Sequence, residues 1–190
     1  SLYMEAPHWR DGDMAWQNQG LSMTLMPFQG GHAIIDFHGA HALRLGPRNL
    51  HLAHDGNLMS VVADMDGIQR ASFEAQQADM RVTQAGFDWR LQASQLGLHM
   101  RRRDDARHDI ALTATKPVLS QSVKSRAAAS LVLSRLEATA NLSSLSLERG
   151  LAAGDVIGLD RLTLARKGLT VIAKGRVKLR ANGYIDGSLD

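Results

Sequence analysis

The sequence predicts a mainly β domain: a long, curled antiparallel meander, shaped as a groove or a half-open barrel, with one or two short helices. Three observations predict it. Apolar and polar residues alternate with a period of two through most of the chain. The alternating runs return every 8 to 12 residues or so, separated by Gly, Asp-Gly or Gly-Pro, which is the spacing of an antiparallel meander. Only four prolines and no low-complexity linker interrupt the 190 residues.

The first run sets Leu21, Met23 and Leu25 on one face and Ser22 and Thr24 on the other, a half-buried strand. Ala33-Ile34-Ile35-Asp36-Phe37, Leu43-Arg44-Leu45 and Leu50-His51-Leu52 continue the pattern, with Gly30-Gly31, Gly39 and Gly46-Pro47 as punctuation. Asp55-Gly56 between two such runs predicts a tight hairpin turn joining residues 50–53 to 58–63, because this pair accepts positive φ. Further strands are expected at residues 70–75, 78–83, 89–93, 95–100 and 109–113, separated by Asp66-Gly67, Ala85-Gly86 and a charged loop over 101–107. Residues 123–142 mix helix and strand preferences, and a strand at 128–141 is the reading adopted. Residues 144–153 are the best helix candidate, with Leu145, Leu147 and Leu151 on one side, Ser143 or Ser144 as N-cap and Gly154 as terminator. The last third alternates again over residues 159–164, 169–173 and 176–180, broken at Lys167-Gly168, Gly175 and Asn182-Gly183.

A chain of this length with 44% hydrophobic residues fits a single domain over residues 1–190. It begins at Ser1 and stops in mid-pattern at Asp190, as a piece of a longer chain would. The absence of cysteine removes disulfides, zinc-thiolate sites and thiol nucleophiles together. Net charge is +3, but the one dense basic run, Arg101-Arg102-Arg103, is followed at once by Asp104-Asp105. Aromatic residues make up 5% and are not interleaved with Arg or Lys, so nucleic acid is not an expected partner.

No chemistry-bearing motif stands out. His38/His41 and His51/His54 give two His-x-x-His spacings, but side chains three apart on a strand point to opposite faces, so no metal site is expected. The serines lack a Gly-x-Ser-x-Gly elbow. Asp64/Asp66 and Asp104/Asp105 sit in turn-like sequence, where carboxylates serve turns and solubility. Gly30-Gly31, Gly154 and Gly158 make no phosphate loop. Neither an enzyme nor a cofactor is expected. The eight methionines suit an ordinary core or a surface that accommodates acyl chains.

Two blocks carry a resemblance. The first runs from Trp16 through Leu21-Ser22-Met23-Thr24-Leu25 and Phe37-His38-Gly39-Ala40-His41-Ala42-Leu43 to Leu50 and on to Val61. The second comprises Gly150-Leu151-Ala152-Ala153-Gly154, Leu159-Asp160-Arg161-Leu162-Thr163-Leu164, Gly175-Arg176-Val177-Lys178-Leu179 and Gly183-Tyr184-Ile185-Asp186-Gly187. In these the chain resembles the bacterial family called domain of unknown function 2125; residues 101–142 depart most from the pattern. The resemblance implies a Gram-negative envelope protein held in the periplasm by an inner-membrane segment outside this chain. By fold analogy the pattern also looks like the curled sheets of AsmA-type envelope proteins, thought to hold lipid in a hydrophobic groove. The expected function is therefore non-catalytic binding of lipid or another hydrophobic ligand, with Leu21, Met23, Leu25, Ile35, Phe37, Leu43 and Leu45 as the lining. The rival is a structural or protein-interaction module that pairs its edge strands with other envelope proteins.

Overall fold

The computed structural model describes residues 1–28, 30–84, 87–103, 107–123, 126–143, 154–180 and 185–190. Its strands are β1 (Leu2–Glu5), β2 (His8–Asp11), β3 (Met14–Gln17), β4 (Gly20–Leu25), β5 (His32–His38) and β6 (His41–Leu45). Three long strands follow, β7 (Arg48–Asp64), β8 (Gly67–Gln84) and β9 (Phe87–Arg102). The remainder are β10 (Arg107–Thr115), β11 (Val118–Val123), β12 (Arg126–Val132), β13 (Arg135–Ser143), β14 (Val156–Arg166), β15 (Leu169–Leu179) and β16 (Ile185–Leu189).

All belong to one antiparallel sheet that does not close, with β1 and β16 at its two ends. Its branched pairing hides a simple order. β7 pairs with β6 over its first half and with β5 over its second, and β9 does the same with β11 and β10. Each such neighbour is one chain leg interrupted near its middle: β1 with β2, β3 with β4, β5 with β6, β10 with β11, β12 with β13. The sheet is thus an up-and-down meander of legs, bent along a seam that crosses the first eight.

The backbone at the seam explains the interruption. Ala6, Gly39, Gly56, Gln77 and Lys116 take positive φ there, a conformation that ends regular pleating. Pro7 and Pro117 follow two of them, in positions where the ladder is already broken and no N–H is needed. Freed groups are paired across the seam, Asn18 N with Pro7 O at 3.1 Å and Leu133 N with Pro117 O at 2.9 Å. Side chains complete the stitching. Buried Asn18 accepts from Gly20 N and donates to Ala40 O, and Asn57 accepts from Phe37 N while donating to Phe37 O.

Register then fixes the faces, since directly opposed residues share one. A single rung runs Leu2, Met23, Ile35, Met59, Phe73, Leu98, Leu112, Ala138, Leu162 and Ala173 across the legs. The adjacent rung on the other face runs Thr24, Ile34, Ser60, Ser72, His99, Ala111, Thr139 and Arg161. On the far side of the seam, Trp9, Trp16, Leu43, Leu50, Val82 and Trp89 form an equivalent apolar rung. The inward set changes phase at the seam, from Phe73 and Ala75 to Ala78 and Met80 on β8 and from Ala93 to Leu96 on β9. One side of the sheet therefore stays predominantly apolar across the seam.

Burial shows which way the seam bends. The core is the apolar side of the seam itself: Ala75, Ala78, Leu91, Ala93, Leu96, Ala114, Leu133 and Leu136, with Phe73, Leu52 and Leu119 against it. Gln76, Gln77, Gln95 and Lys116, on the seam's other side, are exposed. Burial fades outward along the apolar side, to 45% exposure at Leu98 and 65% at Leu25. The two arms thus incline toward their apolar faces without closing. The accessible surface of 12422 Å² far exceeds the roughly 8,900 Å² expected of a compact monomer of 20.7 kDa.

Several expected boundaries are corrected by this arrangement. Asp55-Gly56 is not a hairpin turn; β7 runs straight through it, with register shifts on either side, because both flanking runs pair with the same strand β8. Residues 70–75 and 78–83 are two halves of β8, and 89–93 and 95–100 two halves of β9. Residues 128–141, expected as one strand, are divided into β12 and β13 where the seam crosses at Leu133-Ser134. No helix occurs among the described residues; the one expected at 144–153 lies outside them, and Ser143 ends β13.

Glycine has one clear steric role at the sheet's end. A Cβ on Gly187 would lie 2.1 Å from the Arg176 carbonyl oxygen of the neighbouring strand. Gly187→Ala is expected to detach β16, exposing the Lys174 and Asp190 amides that pair there to rapid hydrogen exchange. The denaturation midpoint should barely move, since an edge strand contributes little to the seam core; slow exchange retained at both amides would refute this.

Candidate functional site

The seven residues expected to line a groove lie on the apolar side but in two arms. Leu21, Met23 and Leu25 on β4 face Phe37, Ile35 and Ala33 on β5. Leu43 and Leu45 on β6 stand beyond the bend at Gly39-Ala40, opposite Leu50 and Arg48. Leu25 and Leu45, at the arm tips, are exposed, while the other five are half-buried.

Between the two groups, at the seam, sits a cluster that the sequence did not announce. Phe37 packs edge-on against His41 with ring centroids 4.7 Å apart, and Trp16 and Phe73 each stand 6.1 Å from His41. His54 closes the group at 5.2 Å from His41. The two histidines come from different His-x-x-His spacings. Their sequence partners lie on the other face: His38 Nε2 is 3.0 Å from Ser22 Oγ, and His51 stands opposite Arg81. Residues three apart diverge within each spacing, and the bend brings together one member of each.

The chemistry of the pair follows from its hydrogen bonds. Trp16 Nε1–H donates to His41 Nδ1 at 3.3 Å, so that nitrogen is an acceptor and the neutral ring carries its proton on Nε2. Burial, reinforced by the nearby imidazoles of His54 and His51, lowers the pKa of His41 to about 4. His54 is also lowered by burial, against the opposing pull of Asp36 and Asp55. Asn57, oriented by its two bonds to Phe37, presents its amide to His54 Nδ1 at 3.3 Å. Neither Nε2 has a hydrogen-bond partner among the described residues. Both rings are thus held toward the neutral form in an aromatic setting. A protonated Nε2 is not a metal ligand, and among the described residues no three His, Asp or Glu side chains are placed to hold an ion.

The remaining candidates have structural settings. Asp64 Oδ1 accepts from Asp66 N and Gln69 Nε2, which is turn chemistry at the β7–β8 hairpin. Asp104 and Asp105 lie outside the described residues. On the polar face Arg81 and Arg90 oppose one another across β8 and β9, each paired diagonally to a carboxylate, Asp88 and Asp79. Those guanidinium hydrogen bonds hold both carboxyls below the usual range.

A model of the family described as "Uncharacterized protein conserved in bacteria (DUF2125)" matches residues 1–190. The chain belongs to this family. Neither a curated protein nor a solved structure matches it. The DUF2125 match includes residues 101–142, where the sequence pattern was least regular. There the bend divides two consecutive legs, and the alternation changes phase with it.

Proposed function

We propose that this DUF2125 domain is a non-catalytic envelope domain, held in the periplasm by a membrane segment outside this chain, whose bent sheet forms a groove for lipid or another hydrophobic ligand. The observation that carries the reading is the apolar rung from Leu2 to Ala173, which crosses ten legs, on a face that leaves Leu2, Leu25, Leu98 and Val171 exposed. Each methylene that leaves water on such a surface contributes about 0.8 kcal/mol, so an acyl chain laid along the rungs needs no specific polar contact. The analogy with AsmA-type sheets agrees with this reading and adds no independent weight to it.

The test is mass spectrometry of organic extracts of the purified domain. Lipid is expected at near-stoichiometric amounts in the wild type. It should be lost from Leu98→Asp and Leu25→Asp, which place charge on the apolar face at sites exposed enough to leave folding intact. Extracts equally free of lipid in all three proteins would sink the proposal.

A second reading rests on the two open ends of the sheet. Leu2, Tyr3 and Met4 on β1 and Leu189 on β16 are exposed, and neither strand has an outer partner among the described residues. Pairing of such an edge with a strand of another envelope protein is β-augmentation. A lipid-free domain that forms a stable complex lost on Tyr3→Pro would favour it.

A further inference from the structure

The polar face of the second arm carries an open cleft of about 730 Å³ over β2, β3, β6 and the start of β7. Its floor is made small by Ala15 and Ala42. Register places Arg10 directly beside Ala15 on one flank and Arg44 beside it on the other. The two arginines therefore stand two strand spacings apart, about 10 Å between backbones, across a residue too short to separate them. One rung along, His8 and His51 line the same space, and no carboxylate is among the lining residues.

The charges in this cleft are not all used. Arg81, at its rim, is matched by Asp88. Arg10 and Arg44 have no ion-pair or hydrogen-bond partner among the described residues. Next to the cleft, Arg90 is likewise matched by Asp79. What sets Arg10 and Arg44 apart is their placement, two guanidinium groups flanking one alanine floor.

We propose that this cleft is an anion site that takes a phosphate group, with Arg10 and Arg44 closing on it from opposite sides and the imidazole of His51 as a further donor. A planar carboxylate satisfies one guanidinium in its own plane, whereas the oxygens of a tetrahedral phosphate diverge and engage two forks at once. The site lies on the face opposite the apolar rungs and does not depend on the lipid reading. A free phosphate ester and the headgroup of an anionic lipid share the chemistry it recognises.

The experiment uses the chain as described with two probes, inorganic phosphate followed by phosphorus NMR line broadening, and flotation with phosphatidylcholine vesicles with and without phosphatidylglycerol. Arg10→Gln/Arg44→Gln is compared with Arg176→Gln, an exposed arginine on the polar face of the other arm. Loss of two charge-assisted bonds should weaken binding by at least about tenfold in the double variant and leave the Arg176 variant unchanged. Dependence on Arg10 and Arg44 with phosphate points to a free phosphate ester; dependence seen only with phosphatidylglycerol vesicles points to a headgroup, and either supports the site. No dependence on this pair with either probe, or an equal loss in the Arg176 variant, overturns it.

Discussion

Ala114→Asp is expected to unfold the domain, while Ala111→Asp, three residues away on the same strand, is expected to be tolerated. Ala114 is 2% exposed and lies on the seam rung between Leu96 and Leu136, with Leu133 beside it. A carboxylate there would sit among apolar side chains with no room to reach water. An unpaired buried charge costs at least about 4 kcal/mol, a large part of the stability of an ordinary domain. Ala111 lies on the polar rung between His99 and Thr139, where a carboxylate can reach solvent. Its replacement should cost less than about 1 kcal/mol. Urea denaturation followed by tryptophan fluorescence separates the two. Equal losses would mean that the faces have been assigned wrongly.

The contrast depends on what alternation can and cannot say. Period two reports which face a side chain takes, and it placed Leu21, Met23, Leu25, Ile35 and Phe37 together correctly because one unbroken strand pair holds them. It does not report whether the chain continues. At Ala75 and Ala78 the pattern changes phase, which reads in sequence as the end of one strand and the start of another. In the fold β8 continues, because β9 changes phase at the same rungs and the ladder between them keeps one register. Asp55-Gly56 misled in the same way: the pair supplies positive φ, and a bulge in a long strand needs that as much as a hairpin does.

Contacts between strands were less legible still. His41 and His54 meet only because β6 returns against β7 and the seam tilts one leg toward the next. The same is true of Arg10 and Arg44, which are separated by two hairpin reversals in sequence. Neither pair has a spacing that marks it. The nearest sequence signal for the histidine cluster was the concentration of aromatic residues at Trp16 and Phe37, on the strands that flank it.

The histidine cluster makes stability depend on pH in a direction that can be worked out. In the unfolded chain His41 takes up a proton as pH falls through about 6.5; in the folded protein it resists until about pH 4. Between those values the unfolded state binds more protons. Stability is therefore complete above pH 6.5 and declines as pH falls toward 4. The shift corresponds to a loss of about 2 kcal/mol once solvent screening is allowed for. His54 acts in the same direction, while Asp36 and Asp55 partly offset its contribution. His41→Gln keeps an acceptor for Trp16 Nε1–H and removes the titration. The difference in stability between wild type and this variant cancels the carboxylates that both share. That difference is expected to shift by about 2 kcal/mol against the wild type between pH 7 and pH 4. A difference constant over this range would show that His41 is not held neutral at the seam, and with it the packing of Trp16, Phe37 and Phe73 around the ring would have to be redrawn.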